Sequence, residues 1–158
     1  MTVSPSRMPS KKSSSASEDA CYLTEESLVQ DLALVVQGGK GPFRCRAVTF
    51  EFDFASGRTD LIGLDRDDEL HAFEAKLTKW RKALEQAGRN TSYAHYTYVV
   101  LPSRTAASAL KASDEFRRRG VGLVVLGKTV PRIEIMPRRA EPLLPWLTDT
   151  AMKRFFPL

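Results

Sequence analysis

The sequence predicts an α/β fold in which a small mixed β-sheet is flanked by helices. Two strand-like runs, residues 57–64 and 69–76, are joined by a short polar turn and predict an antiparallel hairpin. Further along, a strand, a helix and a strand with short connections predict a parallel, right-handed crossover. A sheet with such a crossover packs helices on both of its faces.

The composition is that of one globular domain with a single core. The chain has 158 residues, of which 42% are hydrophobic and 27% charged. A formal net charge of +5 suits a polyanionic partner such as nucleic acid. No apolar run reaches bilayer-spanning length and the first residues lack the apolar core of a secretory signal. We therefore expect a cytoplasmic protein with no membrane partner.

The first helix is expected to follow a disordered arm. Residues 1–22 are basic and rich in Ser, and they show no hydrophobic period, which is typical of disorder. Thr24 is a suitable helix N-cap, and the helix dipole favours Glu25 and Glu26 in the first turn. Gly38 and Gly39 are expected to end this helix.

The first strand and the hairpin follow. Residues 43–54 alternate between apolar and polar side chains, which predicts a long strand, and residues 55–57 turn it into the hairpin. A hairpin centred near Asp67 places Asp60 directly across from Glu74. Because side chains alternate along a strand, Glu74 and Lys76 share a face, so three charged groups are expected to converge.

Such a group of charges indicates a metal site. Two carboxylates held this close repel each other unless a cation lies between them, and oxygen ligands favour Mg²⁺ or Mn²⁺. We expect Asp60, Glu74 and the backbone carbonyl of Ala75 to be ligands, and Lys76 to orient or help deprotonate a water. Glu51 is either an auxiliary ligand or a solvent-facing strand residue. This set is the equipment of metal-assisted phosphodiester hydrolysis.

These residues resemble the PD-(D/E)xK nuclease superfamily, which includes restriction-endonuclease-like enzymes, resolvases and repair nucleases. Asp60 matches the first acidic position of that family, and Glu74-Ala75-Lys76 matches its E-x-K signature. Thr59 stands where the family name has a proline. The resemblance covers residues 23–136 and implies a restriction-endonuclease-like core in the order helix, three strands, helix, strand. It also implies a Mg²⁺-dependent endonuclease that hydrolyses phosphodiester bonds in DNA.

The same resemblance implies roles for two residues on helices. An acidic residue on the first helix reaches the metal in some relatives, and Glu26 is the candidate here, with a helix-start charge as the alternative. Some nuclease branches place a glutamine on the helix after the E-x-K strand, which makes Gln86 a candidate for positioning substrate. Asn90 stands where those branches have a tyrosine, and Tyr93 follows three residues later.

The helix expected over residues 79–93 is basic on its outer faces. Such a helix presents cations to the phosphates of a nucleic acid beside the metal. The candidate substrate-binding cations are Lys79, Arg81 and Lys82 on this helix and Arg58 next to the site.

The remaining elements complete one domain over residues 23–136. We expect a buried strand at 96–102, a helix at 106–119 ending at Gly120, a strand at 121–126 and an edge strand at 133–135. The tail, residues 137–158, carries enough apolar surface to dock on the core or on a second subunit or partner protein.

Several other interpretations stay open at this level. Cys21 and Cys45 are expected to be free thiols, and His71 and His95 to be structural. The charged hairpin is, as an alternative, a solvated edge with ordinary surface charges. The main alternative function is a catalytically silent nuclease-fold module for nucleic-acid binding or assembly. A different hydrolase acting on nucleotides is a weaker alternative, since no phosphate-binding loop is present.

Overall fold

The computed structural model describes residues 22–38, 42–127 and 130–157 of the chain. The arm predicted over residues 1–22 lies outside this range except for Tyr22. Tyr22 is buried, with 6% of its surface exposed, and its hydroxyl donates a hydrogen bond to Asp31. The predicted arm is therefore wrong at Tyr22, because this ring belongs to the core. Cys21 lies outside the described residues, and Cys45 is a buried free thiol.

The described part of the chain forms five helices and six strands, in the order α1, β1, β2, β3, α2, β4, α3, α4, β5, β6, α5. The helices are α1 (Glu25–Gln37), α2 (Trp80–Asn90), α3 (Ser103–Leu110), α4 (Ser113–Arg119) and α5 (Pro145–Met152). The strands are β1 (Cys45–Phe54), β2 (Gly57–Asp65), β3 (Leu70–Ala75), β4 (Tyr96–Pro102), β5 (Gly122–Leu126) and β6 (Arg132–Ile135). None of these helices has both the length and the apolar character needed to cross a membrane.

The strands form one mixed sheet in the order β1-β2-β3-β4-β5-β6. Strands β1, β2 and β3 pair antiparallel, β3, β4 and β5 pair parallel, and β6 returns antiparallel to β5. The predicted α/β class, a small mixed sheet flanked by helices, is confirmed. The two parallel pairs arise where the chain crosses over from β3 to β4 through α2 and from β4 to β5 through α3 and α4.

Helices cover both faces of the sheet. Helix α1 packs on one face through Leu28, Leu32 and Val36, where it contacts Phe73 and other side chains of the central strands. Helices α2, α3 and α4 pack on the other face, and α5 joins them over β1–β3. The first turn of α1 forms as predicted, because the Ser27 amide donates to Thr24 Oγ1 at 3.1 Å.

The single helix predicted over residues 106–119 is wrong, because the structure has two shorter helices there. Ala109 and Phe116 are both buried and lie seven residues apart, which is two helical turns, so the apolar pattern continues through the break and hides it. Asp114 and Glu115 lie in the first turn of α4, where the helix dipole favours them. Gly120 ends α4 with a left-handed φ of 68°, a conformation that glycine adopts without strain.

Helix α5 lies within the segment expected to dock on the core or on a partner. Leu147 and Ala151 are buried against the sheet, beside Tyr93. The Leu144 amide donates to the Ser92 carbonyl at 2.8 Å, and the Thr148 hydroxyl donates to the Tyr93 carbonyl at 2.8 Å. These contacts attach α5 to the loop between α2 and β4.

Candidate active site

The β2–β3 hairpin opens at Asp60 and Glu74. The last pair in the ladder is Leu61 with Phe73, so Asp60 and Glu74 occupy the next position, where the strands part. There the Ala75 amide donates to Asp60 Oδ2 at 2.8 Å instead of to a backbone carbonyl. Across the other ladder, Glu51 on β1 has a left-handed φ of 55°, uncommon outside glycine. The backbone is thus irregular on both sides of Asp60.

Glu74 is a buried carboxyl group, with only 2% of the residue exposed. A surface charge at a solvated hairpin edge would be open to water, so that alternative does not describe Glu74. A buried carboxyl group is costly unless it is hydrogen-bonded or neutralised. The Asn90 amide of α2 supplies the hydrogen bond, whereas the neighbouring Asp60 carboxyl group adds repulsion that a proton or a cation would have to relieve.

A row of buried polar side chains holds Glu74 in place. The Asn90 side chain donates to Glu74 Oε1 at 2.9 Å, and the Thr59 hydroxyl donates to Asn90 Oδ1 at 2.9 Å. Because the Thr59 proton is used there, the Tyr93 hydroxyl at 2.5 Å donates to Thr59 Oγ1. All four side chains are buried. We call Tyr93, Thr59, Asn90 and Glu74 the polar row.

The sequence reasoning missed this row. In the sequence, Thr59 is only a departure from the family proline, and Asn90 and Tyr93 are only departures from a glutamine–tyrosine pattern. It also placed Tyr93 on the helix, whereas α2 ends at Asn90 and Tyr93 lies in the loop beyond it. The signal that could have revealed the row is that Thr59, Asn90 and Tyr93 can all form hydrogen bonds and lie in elements expected to adjoin Glu74.

Burial and mutual repulsion raise the pKa of both carboxyl groups. Burial raises the pKa of Glu74 to about 8; the Asn90 hydrogen bond opposes this shift and the charge of Asp60 adds to it. Burial also raises the pKa of Asp60, against the hydrogen bond from Ala75 and the positive charge of Lys76. Without a cation, the pair therefore retains a proton near neutral pH.

Lys76 lies just beyond the end of β3, next to the carboxyl pair. Its Nζ is 3.4 Å from Glu25 Oε2, and its charge lowers the pKa of both Asp60 and Glu74. The acidic residue on α1 that contacts the lysine is thus Glu25. Glu26, the residue singled out from the sequence, lines the same cavity as Asp60. The structure brings Asp60, Glu74 and Lys76 together at one end of the hairpin.

An acidic cavity of about 480 Å³ adjoins this group. Its lining includes four carboxylates, from Glu25, Glu26, Glu51 and Asp60. Within residues 22–38, 42–127 and 130–157, no three His, Cys, Asp or Glu side chains converge closely enough to hold a metal ion. Two carboxylates completed by water and a backbone oxygen is the set that Mg²⁺ commonly uses, so the residues present fit this ion.

Gln86 lies on the other side of Glu74. Gln86, Glu74 and Asn90 line a cavity of about 20 Å³, roughly the space that one water molecule occupies. Arg58 and Arg89 complete its charged lining. The buried Oε1 of Gln86 has no hydrogen-bond partner among the described residues, which leaves an acceptor beside the candidate site.

The candidate substrate-binding cations divide into two groups. Arg58 forms an ion pair with Asp53 at 2.7 Å, and Arg81 pairs with Glu115 at 3.0 Å and stacks over Trp80. Lys79 and Lys82 are exposed, and neither has an ion-pair partner among the residues that the structure describes. Among these four candidates, the two lysines are therefore the ones whose charge is not paired with a carboxylate of the described residues.

Comparison with known proteins shows the fold alone. The chain matches no protein-family model and no curated protein sequence. It is similar to the solved structure of a protein of unknown function from Silicibacter pomeroyi, with a TM-score of 0.57 and 16% identity over 82% of this chain and 86% of that one. A repair endonuclease from Pyrococcus abyssi aligns with a TM-score of 0.42 and 19% identity over 70% of this chain and 49% of that one. At that TM-score the second similarity carries no argument about function.

Proposed function

We propose that the protein is a nuclease that requires Mg²⁺ or Mn²⁺ and hydrolyses phosphodiester bonds in DNA. The observation that carries the proposal is the Asp60–Glu74 pair. The two carboxyl groups lie together in a largely buried site, which raises the pKa of both, and they adjoin Lys76 and the acidic cavity. A divalent cation would relieve their repulsion.

The hydrogen bonds of the pair suit metal binding. The Asn90 amide holds Glu74 Oε1 and the Ala75 amide holds Asp60 Oδ2, so each carboxyl group has one fixed oxygen. The other oxygen of each group is the proposed ligand, and the Ala75 carbonyl is the proposed third. When bound, the cation would stabilise the negative charge that develops on the phosphate during hydrolysis.

Lys76 would act on the attacking water. Its ammonium group donates hydrogen bonds and lies within electrostatic range of both carboxyl groups, so it would orient a water between them and the phosphate. The ion pair with Glu25 restrains the long side chain. Lys76 is therefore the proposed positioning group for the nucleophile.

The charges around the site favour nucleic acid as substrate. The four carboxylates of the acidic cavity would repel a phosphate backbone unless cations neutralise them, which ties substrate binding to metal binding. Lys79 and Lys82 would then contact phosphates along α2, and the buried Gln86 acceptor would act on the substrate through a water held next to Glu74. Arg58 and Arg81 would contribute only after leaving their ion pairs.

A cleavage assay tests the proposal. Supercoiled plasmid, linear duplex, single-stranded DNA and RNA are incubated with Mg²⁺, Mn²⁺ or EDTA. We expect metal-dependent cleavage of DNA that Glu74→Gln abolishes and that Lys76→Met lowers by about 10²- to 10⁴-fold, with unchanged circular dichroism. Asp149→Asn and Lys111→Met, at exposed positions away from the site, are the matched controls and should retain activity.

Two outcomes would contradict the proposal. Absence of cleavage of all four substrates with both metals would exclude the nuclease, and DNA binding without cleavage would establish a catalytically silent module instead. Equal activity of Glu74→Gln and wild type would show that hydrolysis occurs elsewhere.

A further inference from the structure

Another cavity lies at the opposite end of the hairpin from the candidate active site. Its volume is about 410 Å³, within the ~300–1,000 Å³ typical of small-molecule sites. Asp65 lines it, and Asp65 follows Asp60 by five residues along β2, which corresponds to roughly 17 Å. The two sites are separate but share one strand.

A stack of four rings leads from the core to this cavity. The ring centroids of Tyr96 and His71 lie 4.6 Å apart, those of His71 and Tyr98 5.8 Å, and those of Tyr98 and Phe73 4.7 Å. The interplanar angles are 15°, 14° and 10°, so the rings are nearly parallel. Phe73 is fully buried, whereas Tyr96 is partly exposed and lines the cavity. Tyr96 thus ends the stack in a flat aromatic surface.

Hydrogen bonds hold this stack in position. Burial lowers the pKa of His71, so the ring is neutral near pH 7. Its Nε2 donates to Asp65 Oδ2 at 2.9 Å, and its Nδ1 accepts from the Tyr98 hydroxyl at 3.0 Å. Asp65 also accepts from two backbone amides in the turn. The ring surface is therefore preorganised, and the Asp65 carboxylate is already occupied.

Two arginines line the same cavity. Arg44 and Arg66 are exposed and line it, and neither forms a hydrogen bond or an ion pair within the part of the chain that the structure describes. A guanidinium group binds phosphate oxygens in pairs. Met136, 71% exposed, adds an apolar wall. An aromatic face flanked by free arginines and apolar side chains is the combination that proteins use to hold unstacked nucleobases.

We propose that this cavity binds an unstacked base of a single-stranded nucleic acid, with the base on Tyr96 and neighbouring phosphates at Arg44 and Arg66. The inference deepens the proposed function, on which its choice of ligand rests, by adding a single-strand contact away from the candidate active site. A strand anchored here would reach the Asp60–Glu74 pair over a few nucleotides. A duplex end that carries a single-stranded extension, or a strand junction, would supply such a substrate.

Fluorescence anisotropy of a labelled short single strand, measured in EDTA, tests this inference without cleavage. Tyr96→Ala should weaken binding by about 5- to 150-fold, the loss expected for one stacked base, while Tyr96→Phe keeps the ring and should bind like wild type. Arg66→Ala should also weaken binding. Its matched control, Arg118→Ala, changes an exposed arginine on α4 away from this cavity and should have no effect.

The outcome that overturns the inference is specific to this cavity. If Tyr96→Ala and Arg66→Ala both bind the single strand as wild type does, the base does not bind here. Competition by a free mononucleotide as effective as by the unlabelled strand would assign the cavity to nucleotides and overturn the strand contact. Failure of the proposed function would appear separately, as missing metal-dependent cleavage, and leaves the binding result unchanged.

Discussion

Replacing Thr59 with valine tests whether the polar row supports Glu74. Valine has nearly the shape of threonine but lacks the hydroxyl group. In the structure that hydroxyl donates to Asn90 Oδ1 and accepts from Tyr93, and all three residues are fully or almost fully buried. The substitution therefore leaves two polar atoms without partners and creates little empty space.

The expected cost follows from those two atoms. A buried polar group left without its partner costs about 1–3 kcal/mol, so Thr59→Val should lower the free energy of unfolding by about 2–6 kcal/mol. That is a large share of the roughly 5–15 kcal/mol that stabilises a typical domain. Thr59→Ser keeps the hydroxyl and should lose far less. Asn90 would also hold Glu74 less firmly, so activity should fall in Thr59→Val.

A double-mutant cycle by urea unfolding measures the effect. Tyr93→Phe removes the second partner of the hydroxyl, so the double variant Thr59→Val/Tyr93→Phe leaves one fewer buried group unsatisfied. Its cost should be about 1–3 kcal/mol smaller than the sum of the two single variants. Strict additivity, or a loss below about 0.5 kcal/mol in Thr59→Val, would refute the reasoning.

Two further predictions concern stability. The folded-state pKa of Glu74, about 8, lies above its ordinary value of 4.5, so the stabilisation from its proton is complete below pH 4.5 and is lost as the pH rises through 8. In EDTA the free energy of unfolding should fall by about 1 kcal/mol from pH 7 to pH 8, and Glu74→Gln should flatten this slope; an unchanged slope in the variant would count against a buried titrating Glu74. Burial lowers the pKa of His71 and His95 and raises that of Cys45 from 9.0 to about 12. These groups therefore add little to the change in the free energy of unfolding between pH 7 and pH 8. Phe116→Ala should cost about 3–5 kcal/mol in urea unfolding, because the ring is fully buried beneath α4; a near-neutral effect would mean that α4 does not pack there.

The sheet could be predicted because its strands carry strong local signals. The alternation before Phe54 predicts β1, the polar turn after Asp65 predicts the β2–β3 hairpin, and the apolar run from Tyr96 to Pro102 predicts β4. All of these elements form. The break between α3 and α4 could not be predicted in the same way. Ala109 and Phe116 keep the helical period across it, and only packing against the sheet decides where the backbone turns.

The candidate site was predictable in part for a similar reason. Hairpin register depends on local turn geometry, so the proximity of Asp60 and Glu74 follows from the sequence. The burial of Glu74 and its hydrogen bond to Asn90 depend on how α2 packs across the strands, which no local pattern reports. Which acidic residues of α1 approach the site, among them Glu25 in contact with Lys76, depends on the rotation of α1 about its axis.

The attachment of α5 to the loop after α2 has a consequence for biosynthesis. The loop carries Tyr93, and residues 144–148 hold its Ser92 and Tyr93 carbonyls. During translation the E-x-K strand leaves the ribosome some seventy residues earlier, at a rate of about 5–20 residues per second. A nascent chain would thus already display both acidic groups while the support for Tyr93 was still inside the exit tunnel. The loop that carries Tyr93, and with it the polar row around Glu74, would gain these hydrogen bonds only after residues 144–148 emerge.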